Sequence, residues 1–206
     1  EIYTLSLHDA LRSPYSIHLA MMLPLDAFSG GTVAREDYDP DEAPLAARLQ
    51  NFFANETAYW AIQGTKPQTI AVPLNDSPAG LASWIVEKQR SWSDSHGDVE
   101  SRFSKDDLLT TIMIYWVTQS YGTSARYYYE AAHDPWTPVH DRMPVVEAPV
   151  GVSVLPEEIV TAPRRWAQRY YNLKQMRYHA TGGHFAAWEE PQAIVTDVRE
   201  FFRTLD

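Results

Sequence analysis

The chain has no cysteine, so it has neither a disulfide framework nor a thiolate to act as nucleophile or metal ligand. Cations are in short supply, with 17 Lys and Arg against 27 Asp and Glu and a formal charge of −10. Phosphate neutralisation needs clustered Lys and Arg, so no nucleic-acid partner is expected. No apolar run approaches the roughly 20 residues that cross a bilayer. The longest, Ile17 to Leu25, reads instead as a buried strand. A glycine-rich phosphate loop and a Gly-x-Ser-x-Gly elbow are both missing. The opening Glu1-Ile2-Tyr3 has no basic region and no Met, and no secretory leader is read there. A reducing cytoplasm is the expected compartment.

What is present describes a globular protein. The 206 residues are 45% hydrophobic and 21% charged, enough for one core or a core with an inserted domain. Aromatic content is high, with 7 Trp and 12 Tyr, and a tyrosine surplus suits an apolar pocket with a few hydroxyl donors.

Along the chain, Tyr15 to Leu25 reads as a strand closed by Pro24, and Phe28 to Asp41 as a loop. A helix follows, with Leu45, Leu49, Phe52 and Phe53 at i, i+4, i+7 and i+8. Lys66-Pro67 marks a break, and Asp76-Ser77-Pro78 caps a helix through Leu81, Trp84 and Ile85. Trp92 to Glu100 is polar and irregular. Ser104 with Asp107 resembles a capping box ahead of a stripe of Leu108, Leu109, Ile112, Met113 and Trp116. Asp41 to about Ala132 is therefore expected to be nearly all helical. Strands are expected at Val145 to Val154 and Gln175 to Ala180, with a helix between them over Pro163 to Tyr171. A last helix, Gln192 to Leu205, puts Ile194, Val195, Val198, Phe201 and Phe202 on one face. The pattern is a parallel α/β sheet split by a helical insertion.

Sites in such sheets lie beyond the carboxyl ends of the strands. Glu157 and Glu158 follow one strand, and His184 follows the next on the turn Thr181-Gly182-Gly183-His184. A carboxylate accepting from one imidazole nitrogen leaves the other free as a base. The plain alternative is a pair of solvated loop acids and a structural histidine. Tyr59 and the run Tyr127-Tyr128-Tyr129 lie in the insertion, where two phenols could donate to a developing alkoxide; helix tyrosines are more often core and rim. His133-Asp134 and His140-Asp141 match no standard metal spacing and read as loop. Arg164-Arg165 reads as a solvated helix face.

Several segments resemble the microsomal-type epoxide hydrolases. They are Gln63 to Thr69 (QGTKPQT), Asn75 to Leu81 (NDSPAGL), Trp84-Ile85 and Glu87-Lys88, Asp107 to Thr110, Tyr115 to Thr118, and Gly182-Gly183-His184-Phe185-Ala186-Ala187 with Glu189-Glu190-Pro191. The resemblance runs from about Ile17 to the end. It implies an α/β-hydrolase fold, here the C-terminal part of the sheet with an inserted helical lid. It also implies roles: His184 as the water-activating base, Glu158 as its acid with Glu157 as fallback, and Tyr59 and Tyr128 as the phenols that hold the epoxide oxygen. No cofactor or metal is implied. The partners expected are a small hydrophobic epoxide and water.

The family's nucleophilic aspartate, on a Gly-Gly-Asp-Trp-Gly type turn, has no counterpart here; Asp9 lacks the flanking glycines. Residues 1–13 are read as a non-family start, 14–40 as core strand and linker, 41–143 as lid, and 144–206 as the C-terminal core. The chain alone is expected to form no diol, and an open sheet edge predicts self-association into a homo-oligomer. Alternative readings are an esterase-like or dehalogenase-like α/β-hydrolase, or a non-catalytic module for hydrophobic ligands.

Overall fold

The structure, a computed structural model, describes residues 16–25, 33–134, 136–138 and 140–205. The expected non-family start at 1–13 and residues 28–32 of the expected loop lie outside the described residues; the rest of that loop holds two short 3-10 turns, Arg35–Asp37 and Pro40–Glu42.

Among the described residues the sheet has three parallel strands: β1 (Ile17–Leu19), β2 (Val146–Val154) and β3 (Tyr171–Tyr178), with β2 in the centre. Ile17 lies opposite Val150, and Gly151 opposite Gln175. β2 is valine-rich, and Val146, Val150, Val152 and Val154 are all buried. A strand covered on both faces needs this near-continuous apolar run rather than alternation.

Two strands depart from expectation. β1 stops at Leu19, and Met22 returns only as a single bridge to Thr161. β3 begins four residues early, at Tyr171, so that helix α7 (Arg164–Tyr170) runs straight into it. Asn172-Leu173-Lys174 carries little strand signal, but pairing with the fixed edge of β2 overrides weak propensity.

Between β1 and β2 the chain is helical: α1 (Ala43–Asn55), α2 (Ala58–Thr65), α3 (Pro67–Asp76), α4 (Pro78–Trp92), α5 (Lys105–Thr118) and α6 (Tyr121–His133). Local chemistry sets the boundaries. Pro67 and Pro78 occupy first-turn positions, where a missing N–H costs nothing. The Ser77 hydroxyl accepts from the Gly80 N–H at 3.0 Å, and Ser104 and Asp107 form the expected capping box.

The stripe expected on α5 is only half buried. Leu108 and Ile112 face inward, whereas Leu109 and Met113 are exposed with Ile114 and Val117. This helix is apolar on nearly every side, and its neighbours cover one face.

The final helices are α8 (Ala186–Glu189) and α9 (Pro191–Arg203). Phe201 is fully buried, and burying such a ring contributes roughly 1.5–3 kcal/mol. Val195 and Phe202 are exposed, and Asp197 is buried at 2% exposure beside Phe201's face. Its carboxylate accepts from Ser153 Oγ at 2.5 Å and pairs with His179 Nε2 at 2.6 Å and Arg177 Nη1 at 3.1 Å. A charge at a helix position facing a sheet is satisfied here by three partners from β2, β3 and the residue just past β3. Arg164 is also less solvated than expected: its guanidinium donates to the Met176 carbonyl and lies over the Tyr178 ring.

Candidate active site

The loops after β2 and β3 meet through one parallel bridge, Glu157 with Gly183. That contact sets Glu158 against His184, and Nδ1 of the imidazole lies 2.9 Å from Glu158 Oε1. Glu158 is 1% exposed, and Oε1 also accepts from the Val160 N–H at 3.2 Å. Its other oxygen, Oε2, has no hydrogen-bond partner among the described residues. Glu157 turns elsewhere, into an ion pair with Arg48 of α1. Burial pushes the Arg48 guanidinium down from its usual pKa, while the charges of Glu158 and Asp94 oppose the shift. Of the two acids, Glu158 is the one on the histidine.

Gly182 alone of the glycine pair has positive φ, at 98°. Gly183 serves closeness instead: a Cβ there would meet Trp92 O at 2.7 Å and Asp94 N at 2.9 Å. The turn is tied to the end of α4 by several hydrogen bonds. His184 N–H donates to Trp92 O at 2.9 Å, and Gly182 N–H donates to Asp94 Oδ2 at 3.0 Å. Glu189 accepts from the N–H groups of Asp94 (2.7 Å) and Phe185 (3.0 Å). Burial raises the Glu189 pKa, and those two backbone donors work against the rise. Arg102 completes the set, pairing with Asp94 at 2.5 Å and Glu190 at 3.2 Å.

The tyrosines stand on the insertion, Tyr59 on α2 and Tyr128 on α6. Their rings meet edge to face with centroids 5.7 Å apart. Tyr59 also lies 5.3 Å from the Trp92 ring, and Trp92 lies 5.3 Å from the His184 ring. Tyr128, Tyr59, Trp92 and His184 thus form one continuous aromatic line. Burial pushes the Tyr59 phenol up to about 12, although a hydrogen bond with Tyr128 acts the other way. The Lys88 ammonium sits 5.4 Å from the Tyr59 centroid and 5.3 Å from that of Trp92, within cation–π range.

Both phenols, Trp92 and Phe185 wall a cavity of about 190 Å³. A larger one, about 590 Å³, is lined by residues such as Pro24, Tyr38, Leu49 and Phe53 and includes none of the four candidate residues. The two phenols select the smaller cavity; His184 and Glu158 line neither, and Trp92 stands between the cavity and the imidazole. The remaining histidine candidates lie elsewhere: His133 stacks on Tyr129 at 3.9 Å, and His140 is 3.9 Å from Glu147. Among the described residues no group of three or more His, Asp or Glu could hold a metal.

Sequence reasoning gave no role to Trp92, Lys88, Asp94 or Glu189. Glu189 had a signal, since it sits five residues after His184 within the Gly-Gly-His motif segment. Trp92 opens a stretch read as irregular, and nothing in its spacing points back to a histidine 92 residues on.

A parallel sheet whose strand ends carry a carboxylate–imidazole pair, with a helical cap inserted between its strands, defines an α/β-hydrolase. Compared with models of known protein families, the chain matches none. Individual relatives do match. Epoxide hydrolase 1 of Sus scrofa is 39% identical over 158 residues, covering 73% of this chain and 35% of the relative. Epoxide hydrolase 1 of Oryctolagus cuniculus is 37% identical over 198 residues, covering 89% and 42%. Among solved structures, the juvenile hormone epoxide hydrolase of the silkworm Bombyx mori superposes with a TM-score of 0.77 at 25% identity, covering 98% of this chain and 53% of that one. The chain belongs to the epoxide hydrolases. It spans about two fifths of the length of the curated relatives it matches. No helix among the described residues is long and apolar enough to cross a membrane.

Proposed function

We propose that this segment supplies the base, its acid and both phenols of an enzyme that converts an epoxide and water to a vicinal diol. Residues 14–40 and 144–206 form the core pieces in this reading, and 41–143 the cap. The attacking carboxylate is not among the residues assigned a role, since no aspartate here sits on a glycine-rich elbow. A carboxylate supplied from elsewhere attacks the less hindered epoxide carbon. The C–O bond breaks toward oxygen and an alkyl ester forms.

Tyr59 and Tyr128 hold that oxygen and donate the proton. Water, the simplest model for an alkoxide's conjugate acid, has a pKa of about 15.7. The Tyr59 phenol, at about 12, is the stronger acid, so the proton moves downhill. His184 Nε2 then takes a proton from water as that water attacks the ester carbonyl, and returns it to the departing diol oxygen; the remaining water proton passes back to the phenolate, so carboxylate, phenol and diol are all freed. Glu158 fixes the tautomer by accepting at Nδ1 and stabilises the imidazolium.

One observation carries the reading: the unbroken line from Glu158 through His184, Trp92 and Tyr59 to Tyr128. A cytoplasmic setting belongs to the same proposal, resting on a chain without cysteine. The test is binding of styrene oxide against ethylbenzene, followed by tryptophan fluorescence. The epoxide is expected to bind more tightly, and replacing Tyr59 and Tyr128 together with Phe is expected to erase that advantage. Equal binding of the two ligands would remove the phenols from the mechanism. His184-dependent diol formation by the chain alone would overturn the externally supplied carboxylate.

A further inference from the structure

The cap cavity is lined in part by polar side chains that the chemistry above does not use, two of them on α4. Trp84, Ile85, Lys88, Gln89 and Trp92 of α4 all line it. Their spacing, i, i+1, i+4, i+5 and i+8, is a single helical stripe. Three of the five are apolar or aromatic, as a hydrocarbon pocket requires. Lys88 and Gln89 are not.

Gln89 is 6% exposed, and its Oε1 has no hydrogen-bond partner among the described residues. Gln63 of α2, which also lines the cavity and is 4% exposed, differs: its Oε1 accepts from the Tyr121 hydroxyl at 2.8 Å. Burying an unpaired amide oxygen is unfavourable, and a Leu or Met would fill the position without that cost. Lys88 lies beside it with its side chain mostly buried. Its ammonium lies over two rings of the site and pairs with the more exposed Glu87 at 2.6 Å.

We infer that Lys88 and Gln89 select the substrate, and that it is an epoxide bearing a neutral hydroxyl within their reach. A hydroxyl donates to Gln89 Oε1 and accepts from the Lys88 ammonium. A hydrocarbon tail uses neither group. A carboxylate tail would satisfy Lys88 but set its oxygens against the Gln89 acceptor, and the chain's −10 charge opposes it further. The inference rests on the epoxide-binding reading of this pocket and names the class of substrate it takes.

The experiment compares two aryl epoxides of matched shape, 4-(hydroxymethyl)styrene oxide and 4-ethylstyrene oxide, binding to the chain by quenching of tryptophan fluorescence. The alcohol is expected to bind on the order of tenfold more tightly, the worth of one buried hydrogen bond otherwise left unmade. Gln89→Met should remove the preference by weakening the alcohol alone, and Gln89→Glu, which keeps an acceptor oxygen, should retain it. Equal affinities in the parent chain, or a preference that survives Gln89→Met, would overturn the inference while leaving the epoxide pocket standing. Failure of both epoxides to bind would overturn the pocket reading, and this one with it.

Discussion

Replacing Gly183 with Ala places one methyl group where the histidine turn touches the end of α4. Its Cβ would lie 2.7 Å from the Trp92 carbonyl oxygen, 2.9 Å from Asp94 N and 3.0 Å from Ser93 Cα, all of them backbone atoms. No flexible side chain can swing aside. Reaching the 3.4 Å of an ordinary contact requires the two segments to part by about 0.7 Å. The His184 N–H to Trp92 O bond, now 2.9 Å, would stretch to about 3.6 Å, past a hydrogen bond's limit. Overpacking costs about 1–3 kcal/mol and a lost hydrogen bond about 0.5–1.5, so Gly183→Ala is expected to destabilise by roughly 2–4 kcal/mol. For a chain of this size that is a fall in Tm of roughly 5–15 °C. Gly122→Ala is the control. Its Cβ meets nothing nearer than 3.5 Å in the first turn of α6, so the change should be neutral or stabilising, by up to about 1 kcal/mol. Thermal unfolding followed by circular dichroism reads both variants. A Gly183→Ala chain that melts within 2 °C of the parent, a margin set at about 0.5–1 kcal/mol, would refute the idea that the turn and α4 are in fixed contact.

Two further outcomes concern titration. Desolvation raises the Asp197 pKa, but Ser153, His179 and Arg177 together outweigh it and hold the carboxyl below its usual value. Its stability contribution is therefore complete above about pH 4, the unfolded value, and lost as pH falls through the lower folded one; Asp197→Asn should flatten the acid limb of stability against pH, and an unchanged limb in denaturant titrations would contradict this. Tyr59 is raised, so its contribution is present below about pH 10 and lost as pH climbs toward about 12; ultraviolet titration of Tyr59→Phe should lack one late-ionising phenol, and loss of an early one would contradict its burial.

How much could be read from the sequence depended on whether the cause was local. The caps at Ser77 and Ser104, the proline start of α4 and the valine run of β2 were legible because each is decided within a few residues, whereas Pro67 read only as a break and in fact opens α3. The early start of β3 was not, since Asn172-Leu173-Lys174 becomes strand only because β2 lies alongside. The buried Asp197 broke the apolar stripe of α9 for the same kind of reason, as its partners come from β2 and from β3 and its end. At the site, the contact of Glu158 with His184 followed from the strand-end rule, and its distinction from Glu157 needed the ion pair with Arg48. The pairing of Tyr59 with Tyr128 arises from two helices 69 residues apart in sequence, and topology alone reached only as far as their shared insertion.

The bonds between the histidine turn and the end of α4 have a mechanical consequence. Loops that carry a catalytic base are usually free to adjust on their strand while a cap opens and closes over them. Here the backbone of His184 is fastened to Trp92, and Asp94 and Glu189 clamp the turn from both sides. A swing of α4 would carry the imidazole with it. Base, indole and Lys88 move as one plate, so any opening that admits a ligand must hinge elsewhere, at α2 and α6 with their phenols or at the core strands.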